Sequence, residues 1–290
     1  MSGARWRRLA GELAELTPQQ PATIVWRVIE LDHLLDRTLP SGLGIDIGCG
    51  DGRLVQVLRT HGLDWRLVGV DPDRVEAGLA EQSGQYERVH ACSAEQIPEP
   101  DESFDFAFSN SVLEHIPELP PVLRETARVL RPGAAFVATV PSDRLHDCLG
   151  GPGVLAPALG RDRERYLDRL DERTAHLNLW SEARWRDELE AAGFDRIVAT
   201  PYLSCAHVRR WERLSNWTGG IAYALARRRQ VPLEITRRAG IATGSPLSRA
   251  LRVPARTIAL AALRDYDEGR PGVPGVGFGC LLIEARRRQG

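Results

Sequence analysis

Lysine is absent from the 290 residues, and all 38 basic side chains are arginine. That absence excludes Schiff-base chemistry on a lysine and a lysine general base. Cysteine is sparse. Its five copies, Cys49, Cys92, Cys148, Cys205 and Cys280, are scattered, odd in number and free of any C-x-x-C spacing, which argues against a disulfide scaffold and a zinc site. Charge of one sign is also lacking: the net charge is −1, so no overall field draws the chain to nucleic acid or to a membrane. No apolar run reaches 18 residues, and the opening MSGARWRRLAGELAEL is charged without an apolar core of its own. The expectation is a cytoplasmic protein, long enough for one large domain or a domain with an added module.

From Leu43 onward, strand-like and helical stretches alternate. LGIDIG is followed by RLVQVLRTHG, apolar at helical spacing with a stop at Gly62. RLVGVD, DRVEAGLAEQ, ERVHA, SFDFAFSN, PPVLRETARVLRPG and AAFVATV continue the rhythm. This predicts an α/β, doubly wound, Rossmann-like sheet. FDRIVATPYLS and GVGFGCLLIEARR read as strands six and seven, the last antiparallel, with a helical insert between them. In such sheets ligands sit beyond the carboxyl ends of the strands.

LGIDIGCGDGR lies at the first of those ends, yet it is wrong for a dinucleotide. Gly48, Gly50 and Gly52 alternate, and Arg53 stands where G-x-G-x-x-G needs its third glycine. Asp46 and Asp51 would also repel a pyrophosphate, by roughly 1 kcal/mol in water and several times that when partly desolvated. A cation reverses the sign. The methionyl part of S-adenosylmethionine (SAM) carries a sulfonium and an ammonium, and Asp46 beside a close-approaching glycine backbone suits both. The alternative for Asp46 is a turn or N-cap acid. Asp71, ending the second strand, can accept both ribose hydroxyls of an adenosine, which serves NAD and SAM equally. Its alternative is an N-cap, with Pro72 at the first helical position.

With these residues the chain resembles a class I SAM-dependent methyltransferase of the broad small-molecule group. IDIGCGDG resembles the first motif and VGVDPD the ribose acid. CSAEQIPEPDESFDFAFSNSVLEHIP, LRETARVLRPGAAFVATVPS and HLNLWSEARWRDELEAAGFD follow in the family's order. The resemblance implies that Asp46, Gly48, Cys49 and Gly50 surround the methionyl group and that Asp71 and Pro72 flank the ribose. Ser93 and Ala94 border the adenine, and Ser109 and Asn110 line the cofactor. Ser93 departs from the usual Asp or Asn, which puts the contact to the adenine amino group in doubt; Glu95 is a candidate substitute. Cys49 is read as a small residue rather than a reactive one.

Glu114 and His115 are neighbours that a helix would point about 100° apart, so they are not read as a metal pair, and no metal is expected. The fourth strand is followed by neither an N-P-P-Y-like run nor a Pro-Cys nucleophile, which argues against a nucleic-acid acceptor. His176, just before a helix that Ser181 caps, is the candidate general base for an acceptor hydroxyl. Its alternative is structural, since methyl transfer often needs only positioning of the reactants.

The expected organisation is an N-terminal helical lid over 1–42, a SAM-binding core over 43–204, a helical acceptor cap over 205–275, and a last strand with its tail over 276–290. Between Cys205 and Gly272 arginines outnumber acids more than two to one; Arg209, Arg210, Arg227, Arg228 and Arg229 flank apolar runs, with Trp211 and Trp217 between. A solvated arginine-rich face explains this, as does recognition of an anionic or partly apolar small-molecule acceptor, or contact with an anionic membrane surface. The oligomeric state is not predicted. The expected activity is methyl transfer to a hydroxyl or carboxylate oxygen. The alternatives are a non-catalytic SAM-binding module and an NAD-dependent oxidoreductase.

Overall fold

The computed structural model describes residues 2–18, 20–151, 162–220, 246–266 and 277–289. They form two compact units, one of Leu34–Ser142, Asn178–Pro201 and Cys280–Gly290, and the other of Met1–His33, Asp143–Leu177 and Tyr202–Gly279. The first is a sheet unit and the second a helical unit. The segment Asp143–Leu177, expected within the core, groups with the helices.

In the sheet unit, β1 (Leu43–Ile47), β2 (Arg66–Val70), β3 (Arg88–His90), β4 (Phe104–Asn110), β5 (Leu130–Pro141), β6 (Phe194–Ser204) and β7 (Phe278–Arg287) run in the order β3-β2-β1-β4-β5-β7-β6. β1 to β5 pair in parallel and β7 is antiparallel to β5. The strands are apolar because both faces are covered. Ile45, Val68, Ala107, Phe136 and Ile283 are buried there with Trp185 and Leu189. β5 begins earlier than the apolar run suggested. Phe104 pairs with Leu130 but Phe106 with Ala135, so the Arg-Pro-Gly stretch is bulged out of register.

Helices α3 (Arg53–Thr60), α4 (Arg74–Gln82), α5 (Leu119–Val129) and α8 (Glu182–Ala191) complete this unit. α5 buries Leu119, Val122, Leu123, Thr126 and Ala127, which recur at helical spacing and so form one stripe. Ser181 caps α8 as expected, accepting from the Arg184 N–H at 3.2 Å.

In the helical unit, α1 (Ser2–Leu16) precedes α2 (Pro21–Leu35), and α6 (Leu145–Cys148), α7 (Arg163–Thr174), α9 (Cys205–Ser215) and α10 (Pro246–Ala262) follow. Pro254 lies inside α10 rather than ending it. Beside an apolar interior that includes Leu9, Ile24, Ile29, Val208 and Leu263, this unit buries acids, and each has partners, as desolvation demands. Asp32 accepts from Arg5 Nε at 2.5 Å and the Tyr266 hydroxyl at 2.9 Å. Glu30 accepts from Arg27 at 2.5 Å and Tyr202 at 3.0 Å. Glu212 of α9 accepts from the N–H groups of Gly150 and Gly151 and from the Tyr166 hydroxyl. His207 shares a 2.8 Å hydrogen bond with Ser204, and burial pushes its imidazole down to about 4, so it stays neutral.

A disulfide joins Cys148 to Cys205, with Cα atoms 4.4 Å apart. The scattered spacing, read as an argument against a disulfide scaffold, gave no sign of this single bridge; Cys49, Cys92 and Cys280 are free. The two lie 57 residues apart, and it is the packing of α6 against α9 that brings them together. Among the described residues no helix is long and apolar enough to cross a membrane.

Candidate cofactor site

The site starts from β1. Asp46 sits between Gly69 of β2 and Phe108 of β4, and only 4% of it is exposed. Its Oδ2 accepts from the Tyr86 hydroxyl at 2.7 Å. Burial pushes the Asp46 carboxyl up to about 7; the Tyr86 hydrogen bond opposes that rise and the nearby Asp71 adds to it. The chain then turns sharply. The N–H groups of Gly48 and Cys49 both donate to the Val70 carbonyl, at 2.8 and 3.0 Å. Gly48 has φ +78°, and a Cβ there would lie 2.4 Å from a methyl of Val112, so only glycine fits.

Asp71 closes the turn from the next strand. One oxygen accepts from the Gly50 N–H at 2.9 Å and the other from the Asp73 N–H at 2.9 Å. The carboxylate thus ties the glycine turn to the end of β2, and Asp71 is only half-buried. Asp73, not Asp71, caps α4, accepting from Val75 and Glu76. Pro72 is exposed and precedes the helix, which begins at Arg74, so the capping alternative for Asp71 is overturned. Cys49 is 7% exposed and burial pushes its thiol well up, as a packed, unreactive cysteine requires.

The other expected residues divide. Ala94 is buried, while Ser93 is exposed and its hydroxyl accepts from the Glu95 N–H at 3.3 Å. Ser109 and Asn110 are buried at the end of β4 and bind its neighbours: Ser109 donates to the Ile47 carbonyl at 2.9 Å and Asn110 to the Thr139 hydroxyl. Glu114 and His115 lie on a 3-10 turn, not an α-helix, and their side chains come within 3.8 Å. Asn178 fastens that turn through the carbonyls of Leu113, Glu114 and Ile116.

His176 belongs to the helical unit. It follows Ala175, which has φ +56°, and its N–H donates to the Asp171 carbonyl at 3.1 Å. Its Nδ1 lies 4.0 Å from the Asp171 carboxylate, which also meets His146 Nε2 at 3.0 Å. That carboxylate pushes the His146 imidazole up. Of the basic insert, Arg210 pairs with Asp265, Trp211 packs on Trp26 and Arg209 and Trp217 are exposed; Arg227, Arg228, Arg229 and the GIAYALARRR stretch lie outside the described residues.

Sequence reasoning missed Tyr86, Val112, Asn178 and Asp171. None has a motif of its own, and each matters through what the fold lays beside it. Among the described residues no three metal-ligating side chains gather.

A seven-stranded sheet with an antiparallel seventh strand, carrying an acid and a glycine turn at the end of β1, defines a Rossmann-like nucleoside-binding class. Residues 45–138 match the family described as Methyltransferase domain. A ubiquinone biosynthesis O-methyltransferase of Rhizobium rhizogenes is 35% identical over 33% of this chain and 40% of its own length. An O-methyltransferase of Aspergillus sclerotiorum is 36% identical over 31% of this chain and 36% of its own. The chain thus spans less than half the length of these relatives. The crystal structure of the cyclase SpnF shares the fold, with TM-score 0.53 and 20% identity over 91% of this chain and 82% of that one. Over residues 45–138 the sheet unit is similar to methyltransferase domains of the class I SAM-dependent type, whose cofactor is SAM. This match favours SAM over the nicotinamide alternative.

The residues present fit SAM. A Cβ on Gly50 would meet nothing within 4 Å, so the turn leaves room above the backbone. Among the described residues, the side chains that act most on the buried Asp46 carboxyl are Tyr86 and Asp71, neither of them cationic, which suits a cationic ligand.

Proposed function

We propose that this protein methylates an oxygen, hydroxyl or carboxylate, of an anionic or partly apolar small molecule. The observation that carries the reading is the buried Asp46 carboxyl at the end of β1, beside a glycine turn fixed by Asp71. The similarity to O-methyltransferases supports oxygen as the acceptor atom. Asp46 and the Gly48–Gly50 backbone hold the methionyl group, Asp71 the ribose hydroxyls, and the stretch at Ser93 and Ala94 the adenine. SAM supplies a methyl group on a sulfonium, electrophilic without a metal. The protein's work is to exclude water and align the acceptor oxygen with that methyl. Where the acceptor is a hydroxyl, His176, its ring beside Asp171, would take the proton from it as the C–O bond forms and the methyl–sulfonium bond breaks; a carboxylate acceptor would need no base. The helical unit, with Arg209 and Trp217 exposed, selects the acceptor.

The test is a screen of the purified protein with SAM against pools of phenols, carboxylic acids and phosphorylated metabolites. The readout is a mass gain of one methylene with stoichiometric S-adenosylhomocysteine. Methylation at nitrogen or carbon, or none at all with tight SAM binding, would overturn the oxygen assignment or leave a non-catalytic module.

A further inference from the structure

Tyr86 lies in the connection between α4 and β3 and belongs to no motif. The fold nevertheless makes room for its ring. A Cβ on Gly69 would sit 3.2 Å from the ring, and one on Gly52 3.0 Å from it. Two glycines on separate elements therefore clear the space that lets the hydroxyl reach Asp46 Oδ2 at 2.7 Å. The other titratable groups facing Asp46 are Asp71 from the end of β2 and Cys49 from the turn, and neither supplies a positive charge. Asp51, further along, is paired with Arg53 at 3.1 Å. Burial, then the negative Asp46, push the Tyr86 phenol well up, so it remains the donor.

Resting on the methyltransferase reading, we propose that Tyr86 is a positioning residue that holds Asp46 ready to ionise, so that binding of the cationic methionyl group of SAM releases one proton from this carboxyl. In the free protein, burial favours the protonated acid, and near pH 7 a large share carries a proton. A cation arriving beside it favours the carboxylate, and the Tyr86 hydrogen bond stabilises that same form. The balance is simple. The Asp46 O–H breaks, its proton passes to solvent, and the carboxylate keeps the electron pair.

Calorimetry with SAM in buffers of differing ionisation enthalpy counts the protons, and titrations from pH 5.5 to 8.5 give the profile. Binding near pH 7 should release a substantial fraction of one proton, and affinity should rise by up to about tenfold per pH unit before levelling above 7. Tyr86→Phe should move the levelling point upward by about one unit, weakening SAM about fivefold at pH 7 but little at 8.5. Asp46→Asn, which keeps an oxygen for Tyr86, should flatten the profile and abolish the proton release. Wild-type affinity that ignores pH overturns the inference, as does a Tyr86→Phe loss that is equal at every pH. Should Tyr86→Phe fail to fold, the wild-type proton count and Asp46→Asn still decide. Absence of binding by both SAM and S-adenosylhomocysteine at every pH overturns the cofactor reading itself, and this inference with it.

Discussion

Asp46 carries a cost in the free protein that can be measured without any ligand. Its carboxyl rises from the usual 3.8 to about 7 in the fold. Below about pH 4 folded and unfolded chains both hold the proton, and no penalty arises. Between 4 and 7 the unfolded chain ionises first, so this group's contribution to stability is lost as pH rises, by about 4 kcal/mol at most. Asp46→Asn should therefore melt at a higher temperature than wild type at pH 8 and at a nearly equal one at pH 4. A gap that is constant with pH would remove the buried-acid argument. Asp71 works differently, because its oxygens already hold two backbone N–H groups. Asp71→Ala should weaken SAM by about 1.5–3 kcal/mol, the value of hydrogen bonds to a charged group, as read by calorimetry. For His176, the proposed base, alanine should lower kcat by about 10²–10⁴ and leave SAM affinity intact. A loss smaller than tenfold assigns that histidine to structure.

At the scale of elements, the sequence was most legible where the signal was local. The ends of β1 and α3 follow from apolar runs stopped by Gly48 and Gly62, and Ser181 announced its own helix. α4 starts one residue inside the DRVEAGLAEQ stretch, and two beyond Pro72, the first helical position in the alternative reading. Aspartates stand on both sides of Pro72, and only the backbone shows that Asp73 takes the helix N–H groups while Asp71 takes the turn. This separates their roles experimentally. Asp73→Ala should cost about 1 kcal/mol of stability in denaturant melts while leaving SAM affinity unchanged. The 3-10 turn at Leu113–His115 was not legible either, since its geometry depends on Asn178, more than sixty residues away.

At the scale of the molecule, the helical unit is drawn from three separate stretches of chain. The Cys148–Cys205 bond joins two of those stretches across 57 residues of sequence, which stabilises by about 4 kcal/mol in the chain-entropy account. The double substitution Cys148→Ser with Cys205→Ser should lower the melting temperature of the whole chain, and reductant should lower it in wild type but not in that variant. The same unit would show whether the insert reads the acceptor. Replacing residues 205–275 with a short turn, together with Cys148→Ser, removes Tyr266 from Asp32 and the α9 carboxylate from Gly150. The residues assigned to SAM all lie in the sheet unit, so S-adenosylhomocysteine should still bind while acceptor turnover disappears. Turnover at the wild-type rate in the shortened chain would exclude the insert from recognition.

By itself the sequence determined the strand rhythm, the glycine turn, the acid at Asp46 and the acid at Asp71 that ends the second strand. Each of these is written within a few neighbouring residues, and backbone sterics and short hydrogen bonds act over that range. Only the tertiary structure decided that Tyr86 reaches Asp46 across 40 residues, that Cys148 meets Cys205, and that Ser109 and Asn110 spend their side chains on adjoining strands. Those pairings depend on how sheet and helices stack. Side chains far apart in the chain meet when burial brings their elements together, and no local spacing encodes that meeting.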